Sequence, residues 1–144
     1  MTSPVLRSTL AALACTAALV FASPSLAAMV NLKAELKGSN EVPPNDNKGA
    51  GSVTATYDTV SKKLSWKGST SGLTAPATAA HFHVGESGKN GAVAVPIAGA
   101  DKAAFEGSAT LTDAQAADMM AGRWYVNIHT AANKAGEIRG QLMK

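Results

Sequence analysis

Hydrophobic residues recur at every second position along most of this chain. Leu32, Ala34 and Leu36 alternate with Lys33, Glu35 and Lys37; Val53, Ala55 and Tyr57 with Thr54 and Thr56; Leu64 and Trp66 with Lys63, Ser65 and Lys67. Three later runs repeat the pattern: Phe105, Gly107, Ala109 and Leu111; Trp124, Val126 and Ile128; Ile138, Gly140 and Leu142. A strand sends successive side chains to opposite faces, so each run predicts a strand with one buried and one more polar face. Residues 93–97 form a further apolar run, which Pro96 confines to an edge or irregular strand. Residues 112–122 break the period of two. Thr112 is suited to an N-cap, the alanines favour helix and Gly122 is a natural stop, so a short helix is expected across one end of the sheets. About seven strands with one short helix predict an all-β fold, a two-layer β-sandwich or flattened Greek-key barrel. The loops 45–51 and 85–91 are glycine-rich and expected to be mobile.

Composition separates the first 27 residues from the rest. Arg7 gives a short basic start, residues 10–22 are apolar, and Ser25-Leu26-Ala27 sets small residues before a cleavage point at Ala28. This predicts a secretory signal peptide over 1–27, its apolar run shorter than the ~20 residues a spanning helix needs. A single domain over 28–144 follows, periplasmic or secreted. Cys15, the one cysteine, falls inside the leader, and Ala12-Leu13-Ala14 before it is a poor lipidation signal. The mature domain then has neither thiol nor disulfide and must rest on its core, or on core plus metal. Without Arg7 the charge is nearly balanced, and lysine and arginine form no stripe, which argues against nucleic acid as a partner. No second apolar run is long enough for membrane insertion after cleavage.

The candidate chemistry lies in the three histidines of the chain. His81 and His83 sit at i and i+2 of one apparent strand and share a face; His129 sits in another. Side chains two apart on a strand are roughly 6.5 Å apart, close enough for two imidazoles to tilt onto one ion at about 2.0 Å per nitrogen. A third nitrogen from a neighbouring strand leaves an open position. Three imidazoles without thiolate fit Cu(II) or Zn(II) better than Cu(I). The plainer alternative is that each histidine hydrogen-bonds within the sandwich. A fourth donor is sought among Glu41, Glu86, Glu137, Asn127, Met119 and Met120, although the methionines also suit the core. Glu137 and Arg139 share a face of the last strand. They are placed to form an ion pair, or Glu137 to orient a histidine from the second shell.

Five motifs occur in order: Asn40-Glu41-Val42-Pro43-Pro44, Ala79-Ala80-His81-Phe82-His83-Val84-Gly85, Gly88-Lys89-Asn90-Gly91, Tyr125-Val126-Asn127-Ile128-His129-Thr130 and Gly136-Glu137-Ile138-Arg139-Gly140-Gln141-Leu142. This series resembles the CHRD domain, first described in the signalling antagonist chordin and widespread in exported bacterial proteins. The resemblance covers roughly residues 31–142 and implies an exported all-β domain whose biochemical role is poorly defined. It departs from the family at Ala135, where many members carry proline, so a looser turn is expected there. The H-x-H strand with a distant histidine is also similar to the copper site of Cu,Zn superoxide dismutases, but the bridging histidine, acidic zinc ligand and disulfide are missing. That likeness is one of scaffold and does not carry the activity.

Three functions follow as expectations. The first is an exported domain that binds copper, or alternatively zinc, through His81, His83 and His129, for binding or buffering rather than turnover. The second is a non-catalytic module with structural histidines, whose segments 40–44 and 85–91 meet an extracellular protein or glycan. The third is a metal-dependent oxidoreductase or hydrolase, which would need Glu41 or Glu137 beside the ion as general acid or base.

Overall fold

A computed structural model describes residues 26–144; most of the expected leader lies outside the described residues. Among the described residues, eight strands form: β1 (Met29–Lys37), β2 (Ala50–Asp58), β3 (Lys63–Ser71), β4 (Ala77–Val84), β5 (Val93–Pro96), β6 (Ala104–Thr110), β7 (Trp124–Thr130) and β8 (Ile138–Gln141), with one α-helix, α1 (Asp113–Met120), and a single 3-10 turn at Gly38–Asn40. All pair antiparallel in one sheet of order β5-β4-β7-β8-β1-β2-β3-β6. Where β8 meets β1 the ladder is short, with Lys37 opposite Arg139 and an isolated bridge from Lys33 to Met143. The sheet folds over itself there, so inner faces far apart in strand order meet: the Trp66 ring of β3 stands edge-on to Phe82 of β4, centroids 5.1 Å apart. The result is the all-β barrel or sandwich class expected from the alternation, with its two halves continuous through β8 and β1.

The alternating residues fill the space between the halves. Leu36, Val53, Leu64, Phe82, Trp124, Val126, Ile128 and Ile138 are each no more than 1 % exposed. Two glycines make room for aromatic rings across the β3–β6 ladder. Gly68 stands opposite Phe105, whose ring occupies the place of its missing side chain, and Gly107 stands opposite Trp66, where a Cβ would meet the indole at 2.7 Å. β5, with Pro96 at its end, is an edge strand. α1 lies on the crossover from β6 to β7, and Thr112 and Gln115 form a reciprocal capping box at its start. Gly122 takes φ +74° just beyond its end, a conformation suited to glycine. Among the described residues, no helix is long and apolar enough to cross a membrane.

The polar face of β7 departs from the simple alternation. Its inward residues are buried as expected, but Tyr125 and Asn127 on the other face are also only 3 % exposed. The loops 38–49, 85–91 and 131–137 fold over this face. They create a second, polar buried layer outside the hydrophobic core, and the histidines belong to it.

Candidate metal centre

Strand register brings the three histidines together. β4 and β7 pair with His83 opposite Tyr125, His81 opposite Asn127 and Ala79 opposite His129. Ala80 and Phe82 point into the core, so His81 and His83 point out, beside Asn127 and His129 on the neighbouring strand. One ligand atom from each of His81, His83 and His129 lies within 4.8 Å of the other two. Ring centroids are 5.5 Å apart for His81–His83, 5.2 Å for His81–His129 and 6.3 Å for His83–His129. His81 Nδ1 and His129 Nε2 are 3.3 Å apart. Two nitrogens on a tetrahedral ion at ~2.0–2.1 Å are separated by about 3.3 Å, so this pair already has a chelating spacing.

Backbone carbonyls orient two of the rings. His83 Nδ1 lies 3.0 Å from the Gly91 carbonyl oxygen, and His129 Nδ1 2.9 Å from that of Lys134. A carbonyl only accepts, so each Nδ1 carries the proton and each Nε2 keeps its lone pair. Two buried polar atoms of this layer have no hydrogen-bond partner: His83 Nε2 and Asn127 Oδ1. Burial, with the neighbouring His129 and His83, holds His81 below the ordinary imidazole range. Burial likewise lowers His83, where the Gly91 contact opposes it and His129 and Arg139 reinforce it. Both rings are therefore neutral at pH 7, the form that ligates a metal.

A stack of three side chains fixes His83 from behind. Its ring lies parallel to Tyr125, 8° between planes and 4.8 Å between centroids. The Arg139 guanidinium covers the Tyr125 ring at 3.5 Å. Arg139 is 2 % exposed and donates from Nη1 to Asn90 Oδ1 (3.0 Å) and from Nη2 to the Lys89 and Glu86 carbonyls (2.6 and 3.3 Å). Gln141 Nε2 donates to the Gly85 carbonyl (2.9 Å), and Gly91 N donates to Tyr125 Oη (3.1 Å). The 85–91 loop, expected to be mobile, is thus tied at four carbonyl or amide groups and one asparagine. It delivers the carbonyl that orients His83. Tyr125, Arg139 and Gln141 are the supporting residues that sequence reasoning missed. The available signal was their parity: each occupies the outward position of its strand, in register with the histidines.

Asn127 stands opposite His81 with its Oδ1 unpartnered; the two methionines, Glu86 and Glu137 are engaged elsewhere. Met119 is fully buried in the hydrophobic core, and Met120 packs against it. Glu86 takes part through its backbone carbonyl. Glu137 and Arg139 form no ion pair, because the turn before β8 directs Glu137 to the opposite neighbours. Its buried carboxylate accepts from Thr74 N (2.7 Å), Thr74 Oγ1 (2.6 Å), Thr130 Oγ1 (2.6 Å) and Asn133 Nδ2 (3.1 Å). Burial pushes that carboxyl up, but these donors outweigh it and hold it below the usual range.

Glu41 reaches the same layer from the loop after β1. Its Oε1 accepts from Asn127 Nδ2 at 2.7 Å, and both groups pack on Gly136, where a Cβ would lie 2.5 Å from the amide and 2.7 Å from the carboxylate. Burial pushes the Glu41 carboxyl up to about 7, against the lowering influence of Arg139 and Asn127. An acid raised on folding stabilises least when ionised: the cost is absent below the unfolded value near 4.5 and reaches full size above about 7. Glu41→Gln keeps an oxygen for Asn127. It is expected to stabilise the protein by up to ~3 kcal/mol at pH 8 and to be near neutral at pH 4, as read by denaturant unfolding at both.

The CHRD domain family model matches residues 32–142. No curated protein and no solved structure matches the chain. With the match running from β1 to just past β8 and taking in all three histidines, this chain belongs to the CHRD domain family.

Proposed function

We propose that this CHRD domain is exported and binds a transition metal, copper in preference to zinc, through His81, His83 and His129, for binding or buffering rather than turnover. One observation carries the reading: the three ring nitrogens converge within 4.8 Å while His83 Nε2 is buried with no partner. A buried acceptor left unpaired costs roughly 1–3 kcal/mol, a cost that an ion at that position removes. All-nitrogen donors and the affinity order of divalent metals favour copper over zinc. The engagement of Glu137 by four donors and of Glu41 by Asn127 supports binding over turnover. Export rests on the leader-like pattern of residues 1–27.

Calorimetric titration with Cu(II) and Zn(II) tests this. About one equivalent of tightly bound Cu(II) is expected, with affinity falling at acid pH, below the ordinary imidazole range of ~6.5, where protons compete for the lowered His81 and His83 rings. Absence of saturable binding would contradict it. A second reading, an interaction module with structural histidines, has its own support. Asn90 Nδ2 donates to the Val42 carbonyl (2.9 Å), so the loops around Glu41 and Gly88 stand side by side and line a cleft of about 540 Å³. That cleft is where an extracellular protein or glycan would sit. Under this reading histidine substitutions lower thermal stability equally with and without chelator.

A further inference from the structure

The ligand atoms can be assigned ring by ring, an inference that rests on the metal reading above. We propose that the ion is held by His81 Nδ1, His83 Nε2 and His129 Nε2, with His83 and His129 preset and His81 the ligand that exchanges its partner on binding. The Nδ1 atoms of His83 and His129 are committed to the Gly91 and Lys134 carbonyls. Only Nε2 of each ring is free to ligate. The nitrogen that His81 directs at His129 Nε2 is Nδ1, at the spacing of two donors on one ion.

The proton balance follows from the same contacts. Because His129 Nε2 accepts, His81 Nδ1 donates to it in the metal-free protein. Metal uptake breaks that hydrogen bond. The proton leaves His81 Nδ1, a solvent proton is taken up at His81 Nε2, and the ion occupies the two lone pairs that had faced one another. One proton moves between the two nitrogens of His81, so the exchange releases no net proton. His83, pinned by the Tyr125 stack and the Gly91 carbonyl, has no comparable freedom.

Long-range proton–nitrogen NMR of the histidine rings, recorded on the wild-type protein titrated with Zn(II), tests the assignment. Zinc is diamagnetic, so every ring nitrogen stays visible. The expected result is a coordination shift at Nε2 of His83 and His129 with Nδ1–H retained, and at Nδ1 of His81 with its proton moved to Nε2. Coordination of His81 through Nε2, or of either other ring through Nδ1, would overturn the assignment while leaving the metal reading standing. No shift in any histidine ring with Zn(II), together with no paramagnetic broadening of those rings by Cu(II), would overturn both.

Discussion

Arg139→Ala is expected to cost about 3–5 kcal/mol of stability, the largest effect of any single substitution in the polar layer. Arg139 is a buried cation whose guanidinium serves Asn90, Lys89 and Glu86 and lies on the Tyr125 ring. Truncation strands two acceptors, Asn90 Oδ1 and the Lys89 carbonyl, each worth roughly 1–3 kcal/mol if it stays dry, while the Glu86 carbonyl keeps the Lys89 amide, and it opens a cavity against Tyr125. Water entering from the adjacent cleft offsets part of this, so the sum of the separate costs is an upper bound. Arg139→Lys keeps the charge but loses the planar fork and the stack, and an intermediate loss is expected. Arg139 also holds the Glu41 carboxyl down, so in Arg139→Ala that carboxyl rises further, and the stability lost above the unfolded value near 4.5 grows and extends to higher pH. Denaturant midpoints at constant slope measure the effect; a loss under ~1 kcal/mol would show that the 85–91 loop does not depend on this side chain.

His83→Phe is expected to weaken Cu(II) and Zn(II) binding by more than the ~10–100-fold that losing an outer partner costs, because it removes one of the proposed ligands. Phenylalanine preserves the flat ring on Tyr125 and removes both nitrogens, so the metal-free fold loses chiefly the bond to the Gly91 carbonyl, about 0.5–1.5 kcal/mol, set against relief of the unpartnered Nε2. An aromatic pair contributes ~0.5–1.5 kcal/mol, and that part is kept. The readout is differential. At a metal concentration a thousand times Kd the wild-type protein gains about 4.1 kcal/mol, and His83→Phe is expected to gain almost none. Equal destabilisation of the variant with metal and with chelator would favour structural histidines.

The period-two pattern carried the strands other than β5, which read only as an apolar run, and the face of each that meets the core, because burial on one side of a pleated strand imposes that period directly. The helix was legible from Thr112, the alanines and Gly122, since caps and propensity act locally; the capping contact of Gln115 was not. The pairing of His81 with His83 followed from strand parity. The layer outside the core was less visible. Arg139 bonds Asn90 across 49 positions and Thr74 bonds Glu137 across 63. Such contacts are made by loops without periodicity, folded over a face that alternation marks only as polar. For this reason residues 85–91 look like a free loop in the sequence, and Glu137 and Arg139 look like partners. In the fold each charge is satisfied by a different loop.

The central claim is that His81, His83 and His129 together hold a metal ion. Elemental analysis of the purified domain, exposed to Cu(II) and Zn(II) and then desalted, tests it most directly when repeated on a His81→Ala/His83→Ala double variant. The account predicts about one copper ion per wild-type chain and background metal in the variant. Background metal in both proteins, or the same copper content in both, would contradict it.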